Sequence, residues 1–225
     1  MKFSLTTALL TIMVSISTAM AAELESLDER FNYLMGYNVG QQLEREGIEF
    51  NENAFLQAIK DAQAGTPSQV DEQQAQETVK ELRANQEKAR AALGEQNARE
   101  GQAFLEKNRG EKDVKVTDSG LQYKVVKAGK GTKPKETDTV VVHYRGTLID
   151  GTEFDSSYSR GQPATFPVNG VIQGWQEALQ LMNAGAKWQL FISPELAYGE
   201  RGAGPTIGPN ATLVFDVELV EIKAN

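Results

Sequence analysis

The fold is decided by residues 140–151, which read VVVHYRGTLIDG. Apolar and polar side chains alternate along this stretch, which is the pattern of a half-buried β-strand. The inward face carries Val140, Val142, Tyr144 and Leu148. Asp150-Gly151 then supplies a residue pair that is typical of a tight turn. The stretch therefore predicts a strand that buries Tyr144 and ends in a turn.

Two further stretches alternate in the same way, and a short helix lies between predicted strands. The inward residues are Leu213, Phe215 and Val217 in one stretch and Trp188, Leu190 and Ile192 in the other. The helix carries Trp175, Ala178, Leu179 and Met182 on one side. An antiparallel sheet curved over this single helix would bury that side, so the C-terminal half is predicted as α+β.

Aromatic side chains recur at wide spacing around one acid, Asp155. They are Tyr144, Phe154, Phe166, Trp175, Tyr198 and Phe215. A site made of rings and one carboxylate, without a nucleophile, suits the turning of an apolar peptide segment better than bond cleavage. By turn chemistry alone, an acid so soon after Asp150-Gly151 is equally a turn or capping residue, so both interpretations of Asp155 stay open at this point.

Other candidate sites are weak. His143 is the one histidine, and it lies on the outward face of the predicted strand, so we interpret it as a structural residue. Residues 199–209 hold four glycines and two prolines, but they lack GxGxxG and lead into a strand, which argues against dinucleotide binding. Residues 129–132, GKGT, lack the spacing of a phosphate loop. We therefore predict no cofactor and no metal.

Composition narrows the class of protein further. The chain has 225 residues, a formal net charge of −8 and no cysteine. Its length allows one or two compact cores. Nucleic acids and anionic membranes both attract a basic surface, so the acidic balance argues against either partner. The lack of cysteine removes disulfides, thiolate nucleophiles and cysteine-bound zinc.

Residues 1–21 are predicted to be an export signal. Lys2 precedes a mostly apolar run from Leu5 to Ile16, and Ala19-Met20-Ala21 offers a cleavage pattern of small residues. The alternative, an uncleaved membrane anchor, is disfavoured because the apolar run is shorter than the ~20 residues that span a bilayer. We expect a mature chain from Ala22, without a stable membrane anchor, in the periplasm or associated with the cell surface.

Residues 22–69 are predicted to form two helices, the first ending at Gly47 and the second starting at Asn51 or Asn53. Both helices are rich in aromatic and aliphatic side chains, and two helices of this size cannot bury their own apolar faces. We therefore predict that this segment is a homodimerisation domain. The alternative is a helical cap folded back on the same chain.

Residues 70–113 are predicted to form one long connecting helix, because glutamine, glutamate, lysine, arginine and alanine dominate and proline is absent. The apolar strip is thin, so we expect a solvated helix that separates two units. Gly94 and Gly101 are candidate bend points.

Five motifs follow one another along the C-terminal half. They read VVHY at 141–144, GTEFDSS at 151–157, VIQGW at 171–175, AYG at 197–199 and ATLVF at 211–215. In their order and spacing they resemble the FKBP-type peptidyl-prolyl cis-trans isomerases. GYNVG at 36–40 and the long connecting helix resemble the macrophage infectivity potentiator (Mip) branch of bacterial FKBPs.

The resemblance implies an isomerase domain over residues 114–225, built as an antiparallel half-barrel wrapped on the helix at Trp175. The proline ring would enter between sheet and helix, with Trp175 as the floor of the pocket. The walls implied by the resemblance are Tyr144, Phe154, Phe166, Val171, Ile172, Tyr198 and Phe215. Ile207 would lie on a loop over the pocket.

The resemblance also implies roles for the polar groups. Asp155 and the hydroxyl of Tyr198 would face the substrate amide, while Arg160 and the hydroxyl of Tyr144 would brace the acid. The substrates would be proline-containing unfolded or partly folded polypeptides, and a dimeric helical part could add chaperone activity. Macrolides such as tacrolimus or rapamycin are implied as inhibitors, although Ala164 stands where the small eukaryotic members carry an aromatic residue.

Overall fold

The computed structural model describes residues 24–223, and the predicted export signal at residues 1–21 lies outside them. The chain divides into two compact units, one up to Ser68 and the other from Gln69 onwards. Among the described residues, no helix combines the length and the apolar character that a membrane crossing requires.

The first unit contains helices α1, Leu27–Glu46, and α2, Glu52–Gln63. Ser26 caps α1 in a reciprocal capping box with Glu29, and Gly47 ends it in the left-handed conformation at φ 64°. Asn51 caps α2 by accepting a hydrogen bond from the backbone of Ala54. The predicted end at Gly47 and the predicted start near Asn51 are therefore confirmed.

The second unit begins with the long helix α3, Glu72–Arg109, which is a single helix of 38 residues. The helix continues without a break through Gly94 and Gly101, the two candidate bend points. The expectation of a helix solvated along its whole length is wrong, because Gly94, Gly101 and Asn108 are buried. Asn108 donates a buried hydrogen bond of 2.8 Å to the side chain of Gln122, so the C-terminal half of α3 packs on the sheet.

The sheet is antiparallel and has seven strands. They are β1, Val114–Val116; β2, Gln122–Ala128; β3, Thr139–Leu148; β4, Glu153–Ser156; β5, Ala164–Pro167; β6, Ala186–Ile192; and β7, Leu213–Lys223. The order is β1-β2-β6-β7-β3-β4, and β5 also pairs with β3. Since β4 and β5 follow each other along the same side of β3, the seven strands fill six positions.

The strand predicted within residues 140–151 is β3, which pairs with three other strands, β4, β5 and β7. It pairs with β7 over its whole length, with Thr139 opposite Lys223 and Leu148 opposite Leu213. Its other side pairs with β4, where Gly146 lies opposite Asp155. The predicted turn is confirmed, since Gly151 has φ 91° and donates its N–H to the carbonyl of Leu148.

One helix fills the hollow of the sheet. Helix α4, Gln173–Leu181, buries Trp175, Ala178 and Leu179 against the inward side chains of the strands. These inward side chains include Tyr144, Trp188, Leu190, Ile192, Leu213, Phe215, Val217 and Leu219. The predicted α+β half-barrel wrapped on one short helix is the architecture observed, and its core is the space between α4 and the sheet.

Candidate active site

A cavity of about 670 Å³ opens between the sheet, the start of α4 and the loop that precedes β7. Its volume suits a small ligand or a short peptide segment. Its lining consists of Tyr144, Phe154, Asp155, Phe166, Gly170, Val171, Ile172, Trp175, Tyr198, Phe215 and the loop residues 203–207. Asp155 is the one acid in this lining, and the rest of the wall is mostly aromatic or aliphatic.

Trp175 lies at the centre of the aromatic side chains. Tyr144, Phe166 and Phe215 meet its indole nearly at right angles, with interplanar angles of 89°, 89° and 81°. Edge-to-face packing of this kind is favourable and restricts the orientation of each ring. The pocket therefore has a rigid, mainly apolar interior before any ligand enters.

A glycine in β3 makes room for two of these rings. A Cβ placed on Gly146 would lie 2.6 Å from the Phe154 ring and 2.7 Å from the Phe215 ring. Phe154 and Phe215 pack edge to face, with centroids 5.5 Å apart. Gly146 therefore allows the two rings to meet over the strand and close one end of the pocket.

Asp155 is held by two side chains. The hydroxyl of Tyr144 donates a hydrogen bond to its Oδ2, and the guanidinium of Arg160 pairs with its Oδ1. Arg160 also donates to the hydroxyl of Tyr144 at 2.8 Å, so the three groups form a closed network. The network fixes the carboxylate at the pocket wall.

The network also determines the charge of the acid. Partial burial alone would raise the pKa of Asp155, but the hydrogen bonds from Tyr144 and Arg160 outweigh it, and the pKa lies below its ordinary value. Burial raises the pKa of Tyr144, and the hydrogen bond to Asp155 raises it further. Asp155 is therefore ionised and Tyr144 is protonated at neutral pH.

Tyr198 supplies the other polar group of the wall. Its side chain is 41% exposed, and its hydroxyl makes no hydrogen bond to another residue among those described from 24 to 223. Burial and the charge of Asp155 raise its pKa, so the hydroxyl stays protonated. Tyr198 can therefore donate a hydrogen bond to a ligand without breaking an internal one.

The sequence-predicted site residues come together. All of them line the cavity except Arg160, which contacts Asp155 and Tyr144 from outside. His143 lies outside the lining, where it contacts the Ser157 hydroxyl at 3.1 Å and stacks on Tyr158. Within residues 24–223, no cluster of histidine, cysteine and acidic side chains could hold a metal ion.

Sequence reasoning missed the tip of the loop. Besides Ile207, the wall includes Ala203, Gly204, Pro205 and Thr206, and Gly170 contributes from the other side. The glycines and prolines of residues 199–209 were the available signal, but a glycine-rich loop shows no periodicity that would indicate which surface it covers. Only the position of the loop in the fold reveals that it borders the cavity.

Two known protein families match this chain, and together they cover most of it. The family described as "FKBP-type peptidyl-prolyl cis-trans isomerase" matches residues 130–220. A second family, described as "Domain amino terminal to FKBP-type peptidyl-prolyl isomerase", matches residues 28–125.

Individual relatives cover nearly the whole chain. The "Outer membrane protein MIP" of Legionella longbeachae is 41% identical, with 99% of each chain covered. The "FKBP-type 22 kDa peptidyl-prolyl cis-trans isomerase" of Escherichia coli is 47% identical over 88% of this chain and 97% of its own. The crystal structure of FkpA from Escherichia coli is similar with a TM-score of 0.65 at 39% identity, covering 90% of this chain and 99% of FkpA.

Proposed function

The chain belongs to the FKBP-type peptidyl-prolyl cis-trans isomerases, and we propose that the cavity over Trp175 is the site at which it turns the bond before a proline. The observation that carries this proposal is a mainly aromatic pocket with one fixed carboxylate at its wall. The pocket is large enough for a prolyl ring and its neighbours.

The pocket supports a mechanism without a covalent step. Rotation about a peptide bond faces a barrier of ~18–20 kcal/mol, because it breaks the resonance of the amide, and the planar ground state is the more dipolar one. Water stabilises that dipole, whereas an apolar pocket does not, so desolvation favours the twisted transition state. A difference of roughly 5–8 kcal/mol would accelerate rotation about 10⁴- to 10⁶-fold.

Asp155 has an electrostatic role in this mechanism. Rotation of an amide transfers no proton, so the carboxylate does not act as a general base. Tyr144 and Arg160 keep it charged and fixed beside the rotating group. The free hydroxyl of Tyr198 is available to donate to the substrate carbonyl. Proline-containing unfolded or partly folded polypeptides are the substrates that fit this arrangement.

The test is a cis/trans assay on a short Xaa-Pro peptide. We expect Asp155→Ala to lose most turnover and to keep its unfolding transition, because the side chain is half exposed. Asp216→Ala is the matched control, since Asp216 lies opposite Arg145 on the outer face of the sheet. Turnover of Asp155→Ala equal to that of the control would refute the site.

Macrolides such as tacrolimus or rapamycin are proposed as competing ligands of the same pocket. Ala164 lies on β5 opposite Val142 and is not part of the cavity lining. An aromatic side chain at this position would extend the wall. We therefore expect inhibition by tacrolimus to strengthen in Ala164→Tyr, measured as the concentration that halves peptide turnover.

A second proposed function, chaperone activity, comes from the first unit. Neither α1 nor α2 buries a residue within one chain. Large apolar side chains are exposed there instead, namely Leu27, Phe31, Tyr33, Leu34, Met35, Tyr37, Phe50, Leu56 and Ile59. Such a surface is typical of a protein interface. We propose that residues 22–69 form a homodimer and that this dimer holds unfolded client proteins. In this proposal residues 114–225 carry the isomerase site, and residues 70–113 connect the dimerisation segment to it.

Export to the periplasm or the cell surface is proposed from the sequence of residues 1–21. The name of the Legionella longbeachae relative, an outer membrane protein, supports this proposal. Sequencing the N-terminus of the protein recovered from a periplasmic fraction tests it. The expected mature chain starts at Ala22, and recovery of Met1 in the cytoplasm would contradict export.

A further inference from the structure

The outer wall of the cavity belongs to residues 199–212, which we call the rim loop. Its tip, residues 203–207, lines the cavity. Ala203 and Ile207 pair across the tip, with hydrogen bonds of 2.8 and 3.2 Å between their backbones. The backbone N–H of Asn210 then donates to the carbonyl of Gly199 at 2.9 Å. The two sides of the rim loop are therefore joined to each other at the tip and again at the ends.

Helix α3 is hydrogen bonded to both ends of the rim loop. The side chain of Asn97 donates to the carbonyl of Pro209 at 2.8 Å. Asn210 donates in return to the carbonyl of Gly94 at 3.4 Å, and Arg90 donates to the carbonyl of Arg201. These contacts join residues more than a hundred positions apart in the chain, since Asn97 and Pro209 are separated by 112 positions.

The helix also lies very close to the rim loop. A Cβ added to Gly101 would lie 2.2 Å from the Thr212 hydroxyl oxygen, so no larger residue fits without a shift. A Cβ added to Gly94 would lie 3.1 Å from Pro209. Thr212 is 3% exposed, and its hydroxyl has no hydrogen-bond partner within residues 24–223. Close packing, together with the hydrogen bonds, fixes the distance between α3 and the rim loop.

We propose that α3 is a positioning element of the active site: Asn97 and Gly101 hold the rim loop so that its tip forms the wall against which the peptide binds. The proposal rests on the proposed assignment of the cavity as the isomerase site. A loop without its own core has many conformations in water, and fixing it in advance lowers the entropy lost when a ligand binds. Asn97 and Gly101 act through the loop and do not touch the substrate.

The proposal separates peptide binding from catalysis. The ring cluster around Trp175 and the network around Asp155 contain no residue of α3, so kcat is expected to persist when the helix contacts are weakened. The tip contributes only to the wall, so KM is expected to rise. Loss of one neutral hydrogen bond corresponds to a change of about three- to tenfold.

The experiment measures kcat and KM separately for a short Xaa-Pro peptide with the full-length protein. Asn97→Ala is expected to raise KM about three- to tenfold with kcat within about twofold. Asn85→Ala, which removes an exposed asparagine from the same helix, is the matched control and is expected to change neither. Hydrogen exchange of the amides at residues 203–207 is expected to accelerate in Asn97→Ala alone.

Gly101→Ala tests the close packing. The new methyl group would collide first with the hydroxyl of Thr212. Adding Thr212→Ala to the Gly101→Ala variant removes that hydroxyl. KM is expected to rise in Gly101→Ala and to recover in part in the double variant. If Gly101→Ala does not fold, Asn97→Ala decides the matter alone.

The variants also distinguish a failure of this proposal from a failure of the proposed isomerase site. If Asp155→Ala keeps full turnover, the assignment of the cavity is wrong. If Asp155→Ala loses turnover while Asn97→Ala keeps both constants, the helix only supports the fold and the positioning proposal is overturned. A lower unfolding temperature in Asn97→Ala with an unchanged KM would overturn it in the same way.

Discussion

The hydroxyl of Tyr144 donates a hydrogen bond to Oδ2 of Asp155 from the neighbouring strand. The register makes this contact, because Asp155 lies opposite Gly146 and Tyr144 lies two residues before Gly146 on β3. Residues two apart on a strand share a face, so both side chains point to the pocket. The acid of the pocket is therefore held by the strand that also builds its wall.

The hydrogen bond from Tyr144 lowers the pKa of Asp155, so removing it is expected to raise that pKa. In Tyr144→Phe, the acid limb of the kcat/KM profile should move to higher pH, because the neutral acid loses its electrostatic role. The folded-state pKa of Asp155 lies below the unfolded one, so its ionised form stabilises the fold above the unfolded pKa. That contribution is lost as the pH falls through the folded pKa, and Tyr144→Phe should reduce it.

The measurement is a pH series of peptide turnover and of the unfolding midpoint for both proteins. An acid limb that stays in place in Tyr144→Phe would show that the charge of Asp155 does not control turnover.

Two arginine–carboxylate pairs of similar exposure allow a matched comparison. Arg160 pairs with Asp155 at the pocket, and Arg145 pairs with Glu153 at 2.7 Å on the outer face. Exposed ion pairs contribute about 0–1 kcal/mol to stability, so neither Arg160→Gln nor Arg145→Gln should unfold the protein. Peptide turnover should fall several-fold in Arg160→Gln alone. Equal turnover in the two variants would argue against a bracing role for Arg160.

Gly146→Ala is expected to remove activity through packing. The added methyl group would collide with the rings of Phe154 and Phe215, and overpacking of this kind lowers the free energy of unfolding by about 1–3 kcal/mol. Gly110→Ala is the control, because its nearest contact would be an ordinary 3.5 Å from the carbonyl of Lys107. Urea unfolding and peptide turnover measured together check both effects. Full turnover in Gly146→Ala would show that the two rings can separate without harm.

Leu34→Glu tests the proposed homodimer. Leu34 is 56% exposed in a single chain, and a charge placed in an apolar interface is costly when it becomes buried. Sedimentation should give the dimer mass for the unchanged protein and the monomer mass for the variant. Gln41→Glu adds the same charge at an exposed polar position of α1 and should remain dimeric.

Leu34→Glu and Gln41→Glu also test whether the isomerase activity and the proposed chaperone activity can be separated. Turnover of a short peptide should be equal in Leu34→Glu and Gln41→Glu, whereas protection of an aggregating protein should be lost in Leu34→Glu. A monomer mass for the unchanged protein would remove the basis of both expectations.

Much of the candidate site was predictable from local patterns and from the family resemblance. Alternation placed Tyr144 and Phe215 on inward faces, and helical spacing placed Trp175 on the buried stripe of α4. Asp150-Gly151 marked the turn that brings β4 beside β3. Alternation and turn chemistry depend on neighbouring residues, so they can be recognised before the fold is known. The roles of Arg160 and Ile207 came from the family resemblance, since no pattern in the residues themselves indicated them.

The packing of α3 was not predictable in this way. Its contact face includes Phe104, which meets the ring of Phe191, but also Gly94, Asn97, Gly101 and Asn108. These four are small or polar residues and therefore add nothing to an apolar stripe. The same helix was consequently expected to be solvated. Close approach to Thr212 explains Gly101 in the structure, whereas the sequence suggested only a bend.

Strands β3, β6 and β7, the four α-helices, the end of α1 at Gly47 and the ring-rich class of site could be recognised from the order of residues alone, because each depends on a period or a turn within a few residues. Which residues close the site depends instead on the packing of distant segments. The tip of the rim loop, its connection to α3 and the space that Gly146 leaves for two rings all arise between segments distant in the chain. Such contacts depend on how the sheet curves and where the helix lies against it, and no local pattern records either.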